Sequence, residues 1–368
     1  MKKQLKDVCE GFTKNIAQKD LSENNGKYPI FGASGIIKTI DFYISDKPYI
    51  GIVKDGSGVG RTNKYPAKSS LLGTMQYILP NQGIDLDYLM YGIRSLHLGE
   101  NYSGAAIPHI YFNVYKNRTL DFPELAEQKQ RSIVLNKIQD AINVKEKQLF
   151  ELENIIQSEF VEMFGENPVE SGKWKVEKLE DISTVQTGGT PSRNHPEYFE
   201  GNIPWVTTAN LGKNELTYED AMEYISQDAI NNSATKIIPA NSLFIGIRVG
   251  VGKCSINRVD MCSNQDICGL SGFDTTIINL VFLKKVLDSY SDFFENAKRG
   301  TTIKGIKSDT IKKLKIFIPE LNIQNQFASF IQKIDKSKFV LQQQLQFIKK
   351  YVIMASWRKI CFYTTVAM

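Results

Sequence analysis

Histidine is scarce in this 368-residue chain: there are three, His97, His109 and His195. None stands at Glu-x-x-His or other metal-ligand spacing, which removes the commonest acid–base and zinc chemistries. The five cysteines, Cys9, Cys254, Cys262, Cys268 and Cys361, are odd in number and contain no Cys-x-x-Cys pair. Neither a disulfide framework nor a zinc site is expected, and a reducing cytoplasm is the default. No apolar run approaches the ~18 residues of a membrane span. The basic start Met1-Lys2-Lys3-Gln4-Leu5-Lys6-Asp7 has no apolar stretch behind it, so no signal peptide is expected.

Catalytic motifs are missing as well. Gly250-Val251-Gly252-Lys253 has the spelling of a phosphate loop, but Gly246 stands one residue too far from Gly252, and Cys254 replaces the Ser or Thr that Mg²⁺ requires. A tight turn beside a strand explains it better. The Asp/Asn-Pro-Pro-aromatic tetrapeptide of adenine methyltransferases does not occur. Glu127-Gln128-Lys129 has a nuclease-like spelling but falls on a helix, where it reads as a solvated face. A long chain without an active site is expected to bind rather than to react.

What the chain does have is an internal duplication. Gly104-Ala105-Ala106-Ile107, Ile110, Lys116, Leu120, Pro123-Glu124-Leu125, Gln128 and Gln130 match Gly300-Thr301-Thr302-Ile303, Ile306, Lys312, Ile316, Pro319-Glu320-Leu321, Gln324 and Gln326 at a constant offset of 196. Upstream the copies match loosely: Leu5-Lys6-Asp7-Val8 with Leu179-Glu180-Asp181-Ile182 at 174, and Val59-Gly60-Arg61 with Val251-Gly252-Lys253 at 192. The organisation is body, helix, body, helix.

The bodies show short apolar runs, Tyr49 to Val53, Met75 to Leu79, Ser242 to Ile247 and Lys315 to Ile318, bounded by turn residues. These predict an irregular, partly antiparallel sheet in each mixed α/β body, with short helices over Asp87–His97 and Asn279–Ala297. The matched segments predict long helices with proline 123 or 319 in the first turn. Leu135, Ile138, Ile142, Leu149, Leu152 and Ile156 form a heptad seam in the first, and Ile331, Ile334, Leu341, Leu345, Ile348 and Val352 form one in the second. Lys145 and Lys338 interrupt them, which can fix register. Residues 123–165 carry 5 basic and 8 acidic side chains, and residues 319–359 carry 7 and 2. Opposite signs favour pairing of one helix with the other. The competing arrangement is two amphipathic helices, each packed on its own body.

This organisation resembles the specificity subunit of Type I restriction–modification enzymes. Lys27-Tyr28-Pro29-Ile30-Phe31-Gly32-Ala33-Ser34-Gly35-Ile36-Ile37 looks like the family's motif near the start of a recognition domain. Thr187-Gly188-Gly189-Thr190-Pro191-Ser192 with Gly201-Asn202-Ile203-Pro204-Trp205-Val206 looks like its alternative version. The Pro-Glu-Leu openings of both helices and Glu159-Phe160-Val161-Glu162-Met163-Phe164-Gly165 look like the family's spacers.

The resemblance implies an α+β fold with pseudo-twofold symmetry: two mixed α/β target recognition domains (1–122 and 166–318) joined by two long spacer helices (123–165 and 319–357) in an antiparallel coiled coil, with a tail at 358–368. It also implies no catalysis in this chain and an asymmetric bipartite DNA target. The implied partners are double-stranded DNA, two modification (methyltransferase) subunits that use S-adenosylmethionine, and restriction (motor–nuclease) subunits that use ATP and Mg²⁺. The chain itself would hold no cofactor or metal. From 356 onward the second copy departs from the pattern, which bears on the dock for one modification subunit.

Body one (1–122) has 15 basic and 11 acidic residues, and body two (166–318) has 18 and 19, so body two cannot bind DNA by bulk charge. The candidate DNA contacts are loop residues: Lys54, Arg61, Asn63, Lys64 and Tyr65 in the first body, and Arg193, Asn194, Arg248 and Lys253 in the second. The alternative is a duplicated-domain adaptor that assembles partners without DNA. A solitary enzyme with an unfamiliar site is a third reading.

Overall fold

The computed structural model describes residues 1–100, 102–104, 108–300 and 305–354, with the side chains of 351–354 left aside. The chain forms two compact units, one of Met1–Leu149 with the segment from Leu341 onward, the other of Phe150–Val340.

In the first unit, Cys9–Phe12, Met75–Pro80, Tyr49–Val53 and Thr62–Tyr65 form a four-stranded antiparallel sheet in that spatial order. The central strand Tyr49–Val53 is buried along its whole length, which is why it reads as an unbroken apolar run rather than an alternation. Gly51 lies under the Tyr65 ring, where a Cβ would come within 2.5 Å of a ring carbon. The helix Leu86–Arg94 buries Leu89 and Ile93 in one core with Ile50, Ile52 and Ile78. Asp85 starts that helix by accepting a hydrogen bond from the Tyr88 N–H at 2.8 Å. A smaller sheet orders Gly35–Ile40, Tyr28–Gly32 and Ser70–Leu71, with the last pair parallel.

The second unit repeats this plan. Thr184–Thr187, Ile267–Ser271, Ser242–Gly246 and Cys254–Asn257 take the same order, with Glu215–Leu216 added in parallel at the edge. Glu223–Ile225, Ile203–Val206 and Cys262–Ser263 form the smaller sheet, again with a parallel pair. The duplication therefore extends through the bodies, where the sequences match only loosely. Gly26 and Gly201 occupy equivalent places: a Cβ there would lie 2.2 Å from the Ile40 carbonyl oxygen and 2.0 Å from that of Ile225. The helical segment expected over Asn279–Ala297 is two helices, Leu280–Ser289 and Ser291–Ala297, broken at Tyr290. In each unit the strand before the long helix pairs with the body's first strand: Thr119–Asp121 with Lys2–Gln4, and Lys315–Ile318 with Lys175–Lys178.

The long helices are Leu125–Phe164 and Leu321–Met354. Their openings correct two expectations. Proline 123 and proline 319 precede the helices rather than entering the first turn, because the first helical bonds run from the Gln128 and Gln324 backbone N–H groups to the Glu124 and Glu320 carbonyls, which makes the glutamates the caps. The Gln128 amide donates to the Pro123 carbonyl at 2.8 Å and the Gln324 amide to the Pro319 carbonyl at 2.7 Å. The same side chains accept from the Asp85 and Asn279 N–H groups at 3.0 and 2.9 Å, tying each long helix to the start of its body's short helix. Gln128 and Gln324 are 2% and 0% exposed, so Gln128 does not belong to a solvated face. A buried amide is retained because it satisfies backbone groups that would otherwise stand unpaired.

The heptad residues lie on the covered side of both helices. Ile142, Ile156, Ile331 and Leu345 are buried, and Leu135, Ile138, Leu149, Leu152, Ile334, Leu341 and Ile348 are half-buried. The side chain of Val352 and the tail at 358–368 lie outside the described residues. Within the first unit Lys145 donates to Gln344 at 2.6 Å, and Lys349 pairs with Glu146 at 2.7 Å. Within the second, Lys338 pairs with Glu153. The helices thus run antiparallel, and both lysines that interrupt the seam are satisfied by the other helix. The first helix ends at Gly165, whose φ of 91° suits glycine and whose N–H caps the Val161 carbonyl at 2.8 Å. Phe160 and Phe164 then pack with Phe282, Phe317 and Phe327.

Candidate nucleic-acid interface

Two hairpin loops carry four of the nine candidate residues, Lys54, Arg61, Arg248 and Lys253. Lys54 to Arg61 join the paired strands Tyr49–Val53 and Thr62–Tyr65, and Ile247 to Lys253 join Ser242–Gly246 and Cys254–Asn257. Positive φ at Gly56 and Gly60, and at Gly250 and Gly252, sets the turns, so the glycines serve the hairpin and cradle no phosphate loop. Gly60 also lies against Gly99, where a Cβ would meet its backbone nitrogen at 2.3 Å.

Tyr65 is 7% exposed, with its ring against Phe31 and Tyr49 in the core, so it is not available at the surface. Lys54, at 9%, is likewise turned inward: it pairs with Asp55 and lies 5.6 Å from the centre of the Tyr111 ring. Burial alone would raise the Asp55 carboxyl, but hydrogen bonds from Lys54 and His109 hold it below the usual carboxylate range. Lys64 pairs with Asp87, and Asn63 accepts from Arg94 at 3.0 Å.

In the second body, Arg193 stacks 4.0 Å over the Phe199 ring while both terminal nitrogens donate to Glu223. Asn194 is exposed, its N–H donating to the Ser192 hydroxyl at 3.3 Å. Arg248 pairs with Asp266 at 3.2 Å. Such exposed pairs contribute about 0–1 kcal/mol and are readily exchanged for a phosphate. Arg61 and Lys253 are exposed and have no ion-pair partner among the described residues. They stand at matching places, each closing its hairpin loop.

Residues that sequence reasoning did not single out complete the first site. Arg94, at the end of its helix, donates to the Thr62 carbonyl at 2.9 Å and to Asn63. It borders an open cleft of about 670 Å³ with Arg61, Asn63, His97, Gln139 and Asn143. Burial lowers its guanidinium pKa below the ordinary value. Nothing linear signals this grouping, because it brings a hairpin, a helix end and the long helix together.

In the second unit a smaller cleft of about 90 Å³, between the short helix and the long helices, is lined by ion pairs. Lys284 pairs with Asp288, and Lys285 and Lys338 both pair with Glu153. Asn214 donates to Asp335 at 2.7 Å. Asp335 stands at the place of Gln139, by the offset of 196.

Among the described residues no group of His, Cys, Asp and Glu is placed to hold a metal, and no helix is long and apolar enough to cross a membrane. The four described cysteines are free and buried, and burial raises each thiol above its ordinary range.

The specificity subunit of the Type I restriction enzyme MjaIX of Methanocaldococcus jannaschii is 26% identical over 163 residues, 44% of this chain and 38% of that protein. The EcoR124I/EcoR124II specificity subunit of Escherichia coli is 30% identical over 178 residues, 47% of this chain and 42% of that protein. Each match thus spans less than half of the relative. In fold, the chain is similar to the crystal structure of a Type I restriction–modification S subunit from M. genitalium. That likeness has a TM-score of 0.60 at 13% identity and covers 98% of this chain and 95% of that one. The family model for the Type I restriction modification DNA specificity domain matches residues 1–154 and again 171–349. Two copies of one family's domain, each ending in its long helix, account for nearly all of the described chain, which belongs to the Type I restriction modification DNA specificity domain family.

Proposed function

We propose that this chain is the non-catalytic DNA-specificity subunit of a Type I restriction–modification enzyme. Each body reads one half of a split, asymmetric DNA target. The chain docks two modification subunits that methylate adenine, and restriction subunits that cut. S-adenosylmethionine, ATP and Mg²⁺ serve those partners, in the cytoplasm. The observation that carries this reading is one fold built twice on different surfaces. The two hairpin loops close on Arg61 and Lys253 at matching places, yet the side chains around them differ. Equal frameworks with unequal surfaces suit two half-sites of different sequence.

Co-expression with a Type I modification subunit, followed by mapping of methylated adenine, tests it. The expected result is methylation at one two-part sequence with an unspecified gap, and none from this chain by itself. Methyl transfer by the chain alone, or a target without a gap, would overturn the proposal.

A further inference from the structure

A guanidinium removed from water is normally matched by a carboxylate or another anion. Arg94 is half-buried, and its partners among the described residues are a carbonyl, an amide oxygen and the Tyr91 ring at 5.6 Å, none of them charged. Asp87, on the same helix, is taken by Lys64 and by the Asn136 amide. Glu100 faces His97 at 3.6 Å from the solvent side. The cleft beside Arg94 is therefore lined by two guanidiniums, an imidazole and the amides of Asn63, Gln139 and Asn143. In the second unit the junction of short helix and long helix carries its own carboxylates, Glu153, Asp288 and Asp335, and leaves a cleft of only about 90 Å³. The first cleft is lined by cations and by no acid, and Asp288 stands where the first unit has Arg94.

We propose that the first cleft is a seat for one phosphate of the DNA backbone, held by Arg94 and Arg61 with the Asn63, Gln139 and Asn143 amides around it. This deepens the DNA-binding reading and rests on it. Its volume of about 670 Å³ admits a phosphodiester with its flanking sugars. Arg94 is pre-oriented by two hydrogen bonds, so little side-chain freedom is lost on binding. The seat also gives Arg61 a role distinct from base reading: it positions the duplex and carries no sequence information. The second unit, whose junction is internally neutralised, has no such seat, so the two halves of the chain grip the backbone unequally.

The test is a salt titration of duplex binding by the full-length chain with whatever subunits co-purify, using a random-sequence duplex and, separately, the mapped target. Gln139→Glu is isosteric and introduces the acid that the second unit carries at this place. It should weaken binding several-fold to both duplexes equally and make the slope of log K against log salt shallower by about one, the signature of one lost phosphate contact. Gln139→Lys should strengthen binding and steepen the slope. Arg94→Gln should match Gln139→Glu, and the glutamate variant guards against the case in which loss of Arg94 unfolds the hairpin. Wild-type slopes in both Gln139 variants would overturn the seat alone. A wild-type protein without salt-dependent duplex binding would remove the DNA reading and the seat together.

Discussion

The clearest single-residue chemistry is at Glu153. Burial would raise its carboxyl, but Lys338 and Lys285 outweigh that and bring it down to about 2. In an unfolded chain a glutamate titrates near ~4.3. A carboxyl depressed by folding contributes stability above its unfolded pKa and loses it as the pH falls through the folded one. The contribution of Glu153 is therefore complete above about pH 4.5 and disappears toward pH 2. Burial pushes the neighbouring carboxyls of Asp288 and Asp335 upward, so they titrate in the opposite sense and do not add to this loss. Urea unfolding of wild type and Glu153→Gln should give a stability gap at pH 7 that narrows below pH 4. A gap that is constant from pH 7 to pH 2.5 would show that the ion pairs with Lys338 and Lys285 are not its source.

At the scale of elements, the two long helices depend on each other most where no body covers them. Helices standing alone in water are marginal, so the seam must supply their stability. Ile142 and Leu345 are both buried there. Leu345→Asp places an unpaired carboxylate in that seam, a change of roughly several kcal/mol. Helical circular dichroism should fall and tryptic cleavage within both helices should rise, while the bodies keep their own melting transition. Unchanged protease protection would mean that each helix packs on its own body. These helices were legible in sequence because a heptad is a local pattern and the 196 offset runs through them without a gap. The central strands Tyr49–Val53 and Ser242–Gly246 were legible for the same local reason. The two-residue strands Ser70–Leu71 and Cys262–Ser263 were not, since their pairing is parallel and long-range and leaves no periodicity. Gln128 and Gln324 were visible as a matched pair, but their clamp was not, because its acceptors lie in other elements. The same holds for Arg94, whose cleft exists only after the hairpin, the helix end and the long helix have met.

At the scale of the whole chain, the boundary between the compact units cuts both long helices, between Leu149 and Phe150 and between Val340 and Leu341. This is the place to test whether helix length sets the gap in the proposed DNA target. One heptad added at each cut keeps the seam in phase and changes neither body. Seven residues at 1.5 Å add roughly 10 Å, or about three base pairs at 3.4 Å per step. Mapped adenine methylation should then show both half-site sequences unchanged and the gap longer by about three base pairs. Because each added pair also turns the duplex by roughly 35°, activity should fall as the gap grows, and four residues added at each cut, a stutter that the coil absorbs by local unwinding, should lengthen the gap by less than a heptad does. A single heptad in one helix only should fail, since the seams no longer match in length. If the gap stays constant while both helices grow, the spacing is set by the partner subunits, and the helices act as their dock rather than as a ruler.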